Sequence, residues 1–235
     1  MFKTVPEIIL TDRSVSNREQ YIMPRKPDTK TVYSSGELAI LEAAESLFAE
    51  KGYDAVSMSA IANRSSTSKS NIYHHFKNMS ELYLSIMKNA VQDTSELLDA
   101  LEDAPGTFQQ RLADFSAGQL GNILSHQRSS QLILREALSG ATERGREIAK
   151  HLVSNVFSRV IAMVQQGQEE REFRQNFDPT LAAFMIVSAN MFFFQTRPIM
   201  QHMPEIQLTG DTATYTDGVM DILFSGLLQP GEEQS

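Results

Sequence analysis

The chain of 235 residues contains no cysteine. Disulfide staples and thiolate nucleophiles are therefore excluded, and the composition suits a reducing cytoplasm. Long apolar runs are also missing. The opening stretch MFKTVPEIILTDRSVSNREQ has no sustained hydrophobic segment followed by a small-residue cleavage site. The expectation is a cytoplasmic protein with no signal peptide and no membrane span. The chain has no Gly-rich phosphate loop, no His-Glu pattern with metal spacing, and no repeat or low-complexity tract. Of the five histidines, His74, His75, His126, His151 and His202, only the first two are close in sequence. Adjacent side chains on a helix diverge by about 100°, so they make a poor metal pair. No catalytic residue, metal or cofactor is expected.

One further absence is local. Between Asp54 and Glu81 there is no acidic residue, although Arg64, Lys69 and Lys77 are there and the chain carries a formal net charge of −8. Residues 1–80 hold ten of the 21 Lys and Arg and nine of the 29 Asp and Glu, a balance of +1, which leaves −9 for the rest. A polyanion can approach the acid-free window without meeting a fixed negative charge. On charge alone, a solvated surface with a chance gap in acids is an equal alternative.

What the sequence does have, nearly everywhere, is helical periodicity, with 41% hydrophobic residues to build a core. In ELAILEAAESLFAEKGY, the residues Ile40, Leu41, Ala44, Leu47 and Phe48 recur on one helix face. Gly52 then offers a residue free to adopt positive φ, which predicts a helix over 37–51. Ser57 caps a short second helix that turns Met58, Ile61 and Ala62 inward, and RSSTS breaks it. Ser68 caps a third helix, in which Ile72 and Phe76 form the inward i, i+4 pair. Two short helices joined by a tight polar turn and braced by a longer one make a helix-turn-helix.

With Ile72 and Phe76 inside, Lys69, Ser70, Asn71, Tyr73, His74 and His75 lie on or near the outer side of the third helix. Lys77 follows just beyond it. These hydrogen-bonding groups reach base edges and phosphates, and an acid among them would repel the nucleic-acid backbone. The helix N-terminus capped by Ser68 adds a partial positive charge facing the same way. Together with the two caps, Ser57 and Ser68, they form the candidate DNA-contacting set.

The stretch ILEAAESLFAEKGYDAVSMSAIANRSSTSKSNIYHHFKNMSEL resembles the DNA-binding domain of the TetR family of one-component transcriptional regulators, over about residues 37–88. The shared features are Ala-Ala and Phe in the first helix, Lys-Gly-Tyr at its end, Ile-Ala in the second and Ile-Tyr-His-His-Phe in the third. Two departures stand out. Ser65, Ser66 and Thr67 occupy the turn where the family usually has a small-Gly-Val sequence, and Met79 stands where the family often has Lys. The resemblance implies an all-α protein with a helix-turn-helix domain over 34–80 and a helical ligand-binding and dimerisation domain over 81–235. It implies a regulator of double-stranded DNA, a repressor in most of the family, that binds a palindromic operator as a homodimer and is released by a small effector. A DNA-binding protein of the same fold with an architectural or protein-binding role and no effector is the alternative.

After residue 90 the reading rests on pattern alone. A helix from about Ser80 carries Leu82, Ile86, Met87, Ala90, Leu97 and Leu101 and ends at DAPGT. Helices are expected at 108–126, 128–139 and 143–171, then from Asp178 as cap, with Pro179 in the first position, to Arg197, stopped by Pro198. The final helix is TATYTDGVMDILFSGLL. Leu181, Phe184, Met185, Val187, Met191 and Phe192 put apolar groups on more than one side of one helix. Tyr215, Val219, Ile222, Leu223 and Leu227 do so in the last. A second copy packed through the last two helices accounts for both, with an all-monomer core as the alternative. Phe115, His126, Met163, Phe184, Phe193 and Phe194 are candidates for an effector pocket, since aromatics and Met line adaptable apolar cavities. Each is also an ordinary core residue type. A hydrophobic or amphipathic effector is expected.

Residues 1–33, rich in Thr, Ser, Asn, Pro and charge, read as a flexible extension. Met23 precedes the basic PRKPDTK. It is either the native start, leaving a short basic arm, or part of a real extension that touches DNA or a neighbour.

Overall fold

A computed structural model describes residues 33–139, 143–203, 205 and 211–227. The expectations for the N-terminal extension and Met23 lie outside these residues, as does Leu228 at the end of the last expected helix. Helix α1 (Ser35–Lys51) begins two residues before the expected start, because Ser34 and Glu37 form a capping box. The Ser34 hydroxyl accepts from the Glu37 N–H at 3.3 Å, and the Glu37 carboxylate accepts from the Ser34 N–H at 2.8 Å. At the other end Gly52 adopts φ +79° and donates its N–H to the Phe48 carbonyl. Helices α2 (Met58–Arg64) and α3 (Lys69–His75) are capped by Ser57 and Ser68, whose hydroxyls accept from Ala60 N–H and Asn71 N–H.

The rest of the described chain consists of α4 (Met79–Glu102), α5 (Phe108–Ser125), α6 (Gln127–Leu138), α7 (Glu143–Ile148), a π-helical turn (Ala149–Val153), α8 (Ser154–Glu169), α9 (Pro179–Met200) and α10 (Thr212–Leu227). Among the described residues every regular element is helical. The all-α expectation is met.

Two cores organise these helices. The first gathers Ile40, Leu47 and Phe48 of α1, Ile61 of α2, Ile72 of α3 and Phe76 just beyond it. It does not stop at these three helices. Leu82, Ile86 and Met87 of α4, Leu132 of α6, Ile148 of α7 and Leu152 of the π turn all enter it. The second core joins Leu98 and Leu101 of α4, Phe115 of α5, Val160 and Met163 of α8, Ile186 of α9 and Phe224 of α10. Helix α4 is thus a strut that runs from one core to the other. A boundary at residue 80 falls in its first turn.

Two of the later helices also depart from expectation. Residues 143–171 are not one uniform helix, since the π turn inserts an extra residue per turn where the chain crosses between cores. Ile148 and Leu152 serve the first core, and Val156 and Val160 serve the second. Pro198 does not stop α9, which continues to Met200. A proline this near a C-terminus removes a single backbone bond, and the last turn closes behind it, with Gln201 N–H donating to Arg197 carbonyl at 3.0 Å.

Helix α9 is long and apolar enough to cross a membrane by length and composition. Its inner side, Ala182, Ala183, Ile186 and Val187, is instead packed in the second core. Its other side leaves Leu181, Phe184, Met185, Phe192 and Ile199 exposed.

Candidate nucleic-acid interface

Helix α3 is held from behind by Ile72, fully buried, and by Phe76. That anchoring turns Lys69, Ser70, Tyr73 and His74 to solvent, with Lys77 exposed just past the helix. The cap hydroxyls of Ser57 and Ser68 are spent on their own helices. Asn71 is half-buried, and its side-chain amide donates to the Thr67 hydroxyl at 3.0 Å, which aims it from the start of the helix. Ser66, in the turn before α3, adopts φ +54°, the left-handed region that favours glycine. The Ser65 hydroxyl donates to Ile61 carbonyl and the Thr67 N–H to Ala62 carbonyl, and these bonds hold the strained turn closed.

The acid-free window is not isolated from acids in space. Glu37 of α1 comes within 3.4 Å of the His75 ring, so His75 faces α1 rather than the open side of α3. Glu50 of α1 pairs with Arg64 at 3.1 Å, and the Glu81 carboxylate accepts from the Lys77 N–H at 2.7 Å. The Ser34 backbone and hydroxyl, and then His75, hold the Glu37 carboxyl below its ordinary pKa. Hydrogen bonds from Arg64 do the same for Glu50. Of the window's basic side chains, Arg64 is engaged, whereas Lys69 and Lys77 remain on the exposed side without an acidic partner among the described residues.

A largely buried cluster connects this unit to α4, α6 and α7. The Arg144 guanidinium of α7 lies 4.1 Å from the Tyr53 ring centroid and donates from Nε to Glu136 of α6 at 2.8 Å. The Tyr83 hydroxyl of α4 donates to the same carboxylate oxygen at 3.1 Å. Burial, reinforced by Glu136, pushes the Tyr83 phenol well above its ordinary pKa, so it stays a proton donor. Tyr53 and Tyr83 meet edge to face at 4.8 Å. No spacing rule pointed to this group, because Tyr53 and Arg144 come from distant parts of the chain.

The six pocket candidates do not share one setting. Phe115 and Met163 lie in the second core, and Phe193 stacks on Tyr215 at 4.0 Å with Phe194 also buried. Phe184 is 57% exposed on the outer side of α9. His126 is at the junction of α5 and α6, with Nε2 3.0 Å from the Asp93 carboxylate. Sequence reasoning missed the buried polar group beside the aromatics. The Asn190 amide donates to Ser116 carbonyl at 2.9 Å and to Gln119 Oε1 at 3.0 Å, and its own Oδ1, fully buried, has no hydrogen-bond partner among the described residues.

The family model described as "Bacterial regulatory proteins, tetR family" matches residues 40–86. A second, "Tetracyclin repressor-like, C-terminal domain", matches residues 105–218. The uncharacterized HTH-type transcriptional regulator YhgD of Bacillus subtilis (strain 168) is 25% identical over 151 residues, 63% of this chain and 76% of its own. The fatty acid degradation regulator FadR from Bacillus halodurans has a similar structure, with a TM-score of 0.68 at 16% identity, covering 83% of this chain and 98% of that one. The transcriptional regulator FadR from Bacillus subtilis, solved in complex with stearoyl-CoA, gives 0.66 at 19% identity, covering 80% and 98%. At these identities the structural likeness shows the fold.

Proposed function

Because this chain belongs to the TetR family of bacterial transcriptional regulators, we propose that it is a repressor that binds a palindromic operator as a homodimer and is released by a small hydrophobic effector. The observation that carries this reading is the exposed side of α3. It is a short helix anchored by two apolar residues and otherwise given to cationic and hydrogen-bonding groups. Lys69, Ser70 and Asn71, at the helix start, read base edges; Tyr73, His74 and Lys77 meet phosphates. Ser57 and Ser68 present their capped helix N-termini to the same backbone, and His75 braces α3 against α1 through Glu37.

Dimerisation uses the apolar outer side of α9 together with Ile222 of α10, which is 76% exposed. Two such surfaces related by a two-fold axis form a four-helix contact and place two α3 helices on successive turns of DNA. The effector occupies the regulatory core near Phe115, Met163, Phe193 and Phe194, where the free Asn190 Oδ1 offers one polar anchor. A hydrophobic ligand with a single hydrogen-bond donor suits that combination. The stearoyl-CoA bound to the Bacillus subtilis FadR shares only the apolar chain with such a ligand, since its coenzyme A portion is large and anionic.

The reading is tested by titrating the protein–operator complex with hydrophobic compounds, stearoyl-CoA among them, while following DNA release by fluorescence anisotropy. Release by at least one compound supports it. Tight, salt-sensitive binding that no compound releases favours an architectural role.

A further inference from the structure

A crevice of about 180 Å³ lies between α1 of the DNA-binding unit and the regulatory helices α4 and α6, apart from the effector region of the second core. We propose that it binds a small organic ammonium ion carrying an apolar group. Leu38 and Leu41 of α1 and Ile86 of α4 supply an apolar wall, and the volume exceeds that of a 150 Å³ cavity known to admit benzene. The polar groups on its rim are weighted to one sign. Glu42 and Glu45 stand one turn apart on α1, and neither has a cationic partner among the described residues. Glu45 accepts the Ser129 hydroxyl, whereas the Glu42 carboxylate is exposed with no hydrogen bond among the described residues.

Two further residues narrow the ligand chemistry. Asn89 of α4 is half-buried at the crevice without a hydrogen-bond partner among the described residues, so its amide oxygen is free for an N–H donor. His126 also borders the crevice, but the Asp93 carboxylate 3.0 Å away occupies its Nε2 and adds another negative charge. Among the described residues, no Lys or Arg lines the space. An anion would face the Glu42 and Glu45 carboxylates, and a neutral molecule would leave both without a partner of opposite charge. An ammonium group satisfies both and Asn89, while its apolar part covers Leu38 and Ile86.

The walls belong to both sides of the junction, so the bound cation ties α1 to α4 and α6. By linkage, its affinity and the affinity for operator change each other by the same factor. Binding stands independently of the repressor reading; the coupling to DNA rests on it.

The test uses the full chain with benzylammonium chloride as probe, sodium chloride at matched ionic strength, and benzyl alcohol as a neutral counterpart. Calorimetric titration is expected to show benzylammonium binding and benzyl alcohol binding about tenfold more weakly or worse. Glu42 is exposed, so Glu42→Gln is expected to leave the circular dichroism spectrum unchanged. It is expected to weaken benzylammonium about tenfold, and Glu42→Gln with Glu45→Gln further still. No benzylammonium binding, equal binding of the alcohol, or unchanged affinity in Glu42→Gln each overturns the site. Binding with operator affinity unchanged at saturation overturns the coupling. Absence of operator binding without any ligand counts instead against the repressor reading.

Discussion

Helices α3 and α9 both turn one side to solvent, but they expose opposite chemistry. The open side of α3 carries Lys69, Ser70, Tyr73 and His74, backed by two buried apolar anchors. The open side of α9 carries Leu181, Phe184, Met185, Phe192 and Ile199, with Phe192 69% exposed. Single exposed apolar residues are ordinary on a soluble protein, but five on one helix are a surface waiting for cover. The contrast teaches that exposure has two meanings here. In the proposed function, the exposed side of α3 serves a hydrated polyanion and that of α9 a second copy of the same helix.

Changing the sign of the α9 surface breaks the comparison most severely. Phe184→Glu combined with Phe192→Glu removes four aromatic side chains from a two-fold interface, at about 1.5–3 kcal/mol each. Analytical ultracentrifugation is expected to show monomer at concentrations where the wild type is dimeric, and operator affinity falls by several orders of magnitude. The monomer's helical circular dichroism is expected to persist, since both residues lie outside the cores.

The next effect concerns the connection between the two ends. Arg144→Met leaves Glu136, 4% exposed, without its charged partner, and is expected to cost on the order of 3 kcal/mol in chemical denaturation. Adding Glu136→Gln is expected to return part of that loss in a double-mutant cycle.

Smaller changes sharpen the α3 side. Lys69→Ala is expected to cost about 1–3 kcal/mol on operator and little on scrambled duplex at one fixed salt concentration. Lys77→Ala instead weakens both duplexes alike and lowers the salt slope by about one. Equal losses for Lys69→Ala on both duplexes would make it a phosphate anchor. The smallest effect is a gain. Ser66→Gly relieves the left-handed backbone at φ +54° and is expected to raise stability by about 0.5–1 kcal/mol, read as a higher denaturation midpoint.

Much of α3 was legible because its determinants are local. Ser68, Ile72 and Phe76 lie within nine residues, and the caps of α1 to α3 are set by neighbours in sequence. The apolar excess of α9 was visible for the same reason. The links between distant segments were not. Glu37 reaching His75 and Arg144 lying on Tyr53 depend on how helices dock, which periodicity does not encode. His126 and Phe184 were grouped with the core aromatics by residue type alone, and type does not say which side of a helix faces inward. The run through Pro198 was hidden because a proline rule weighs a lost hydrogen bond without weighing how close the helix already is to its end.

The most direct measurement is selection of bound duplexes from a random DNA library by the full-length protein, followed by sequencing. The expected result is an enriched inverted repeat whose half-site centres lie about 34–36 Å apart or somewhat more, matching two α3 helices related by a two-fold axis through α9 and α10. An enriched site without dyad symmetry, or no enrichment at all, would contradict the account.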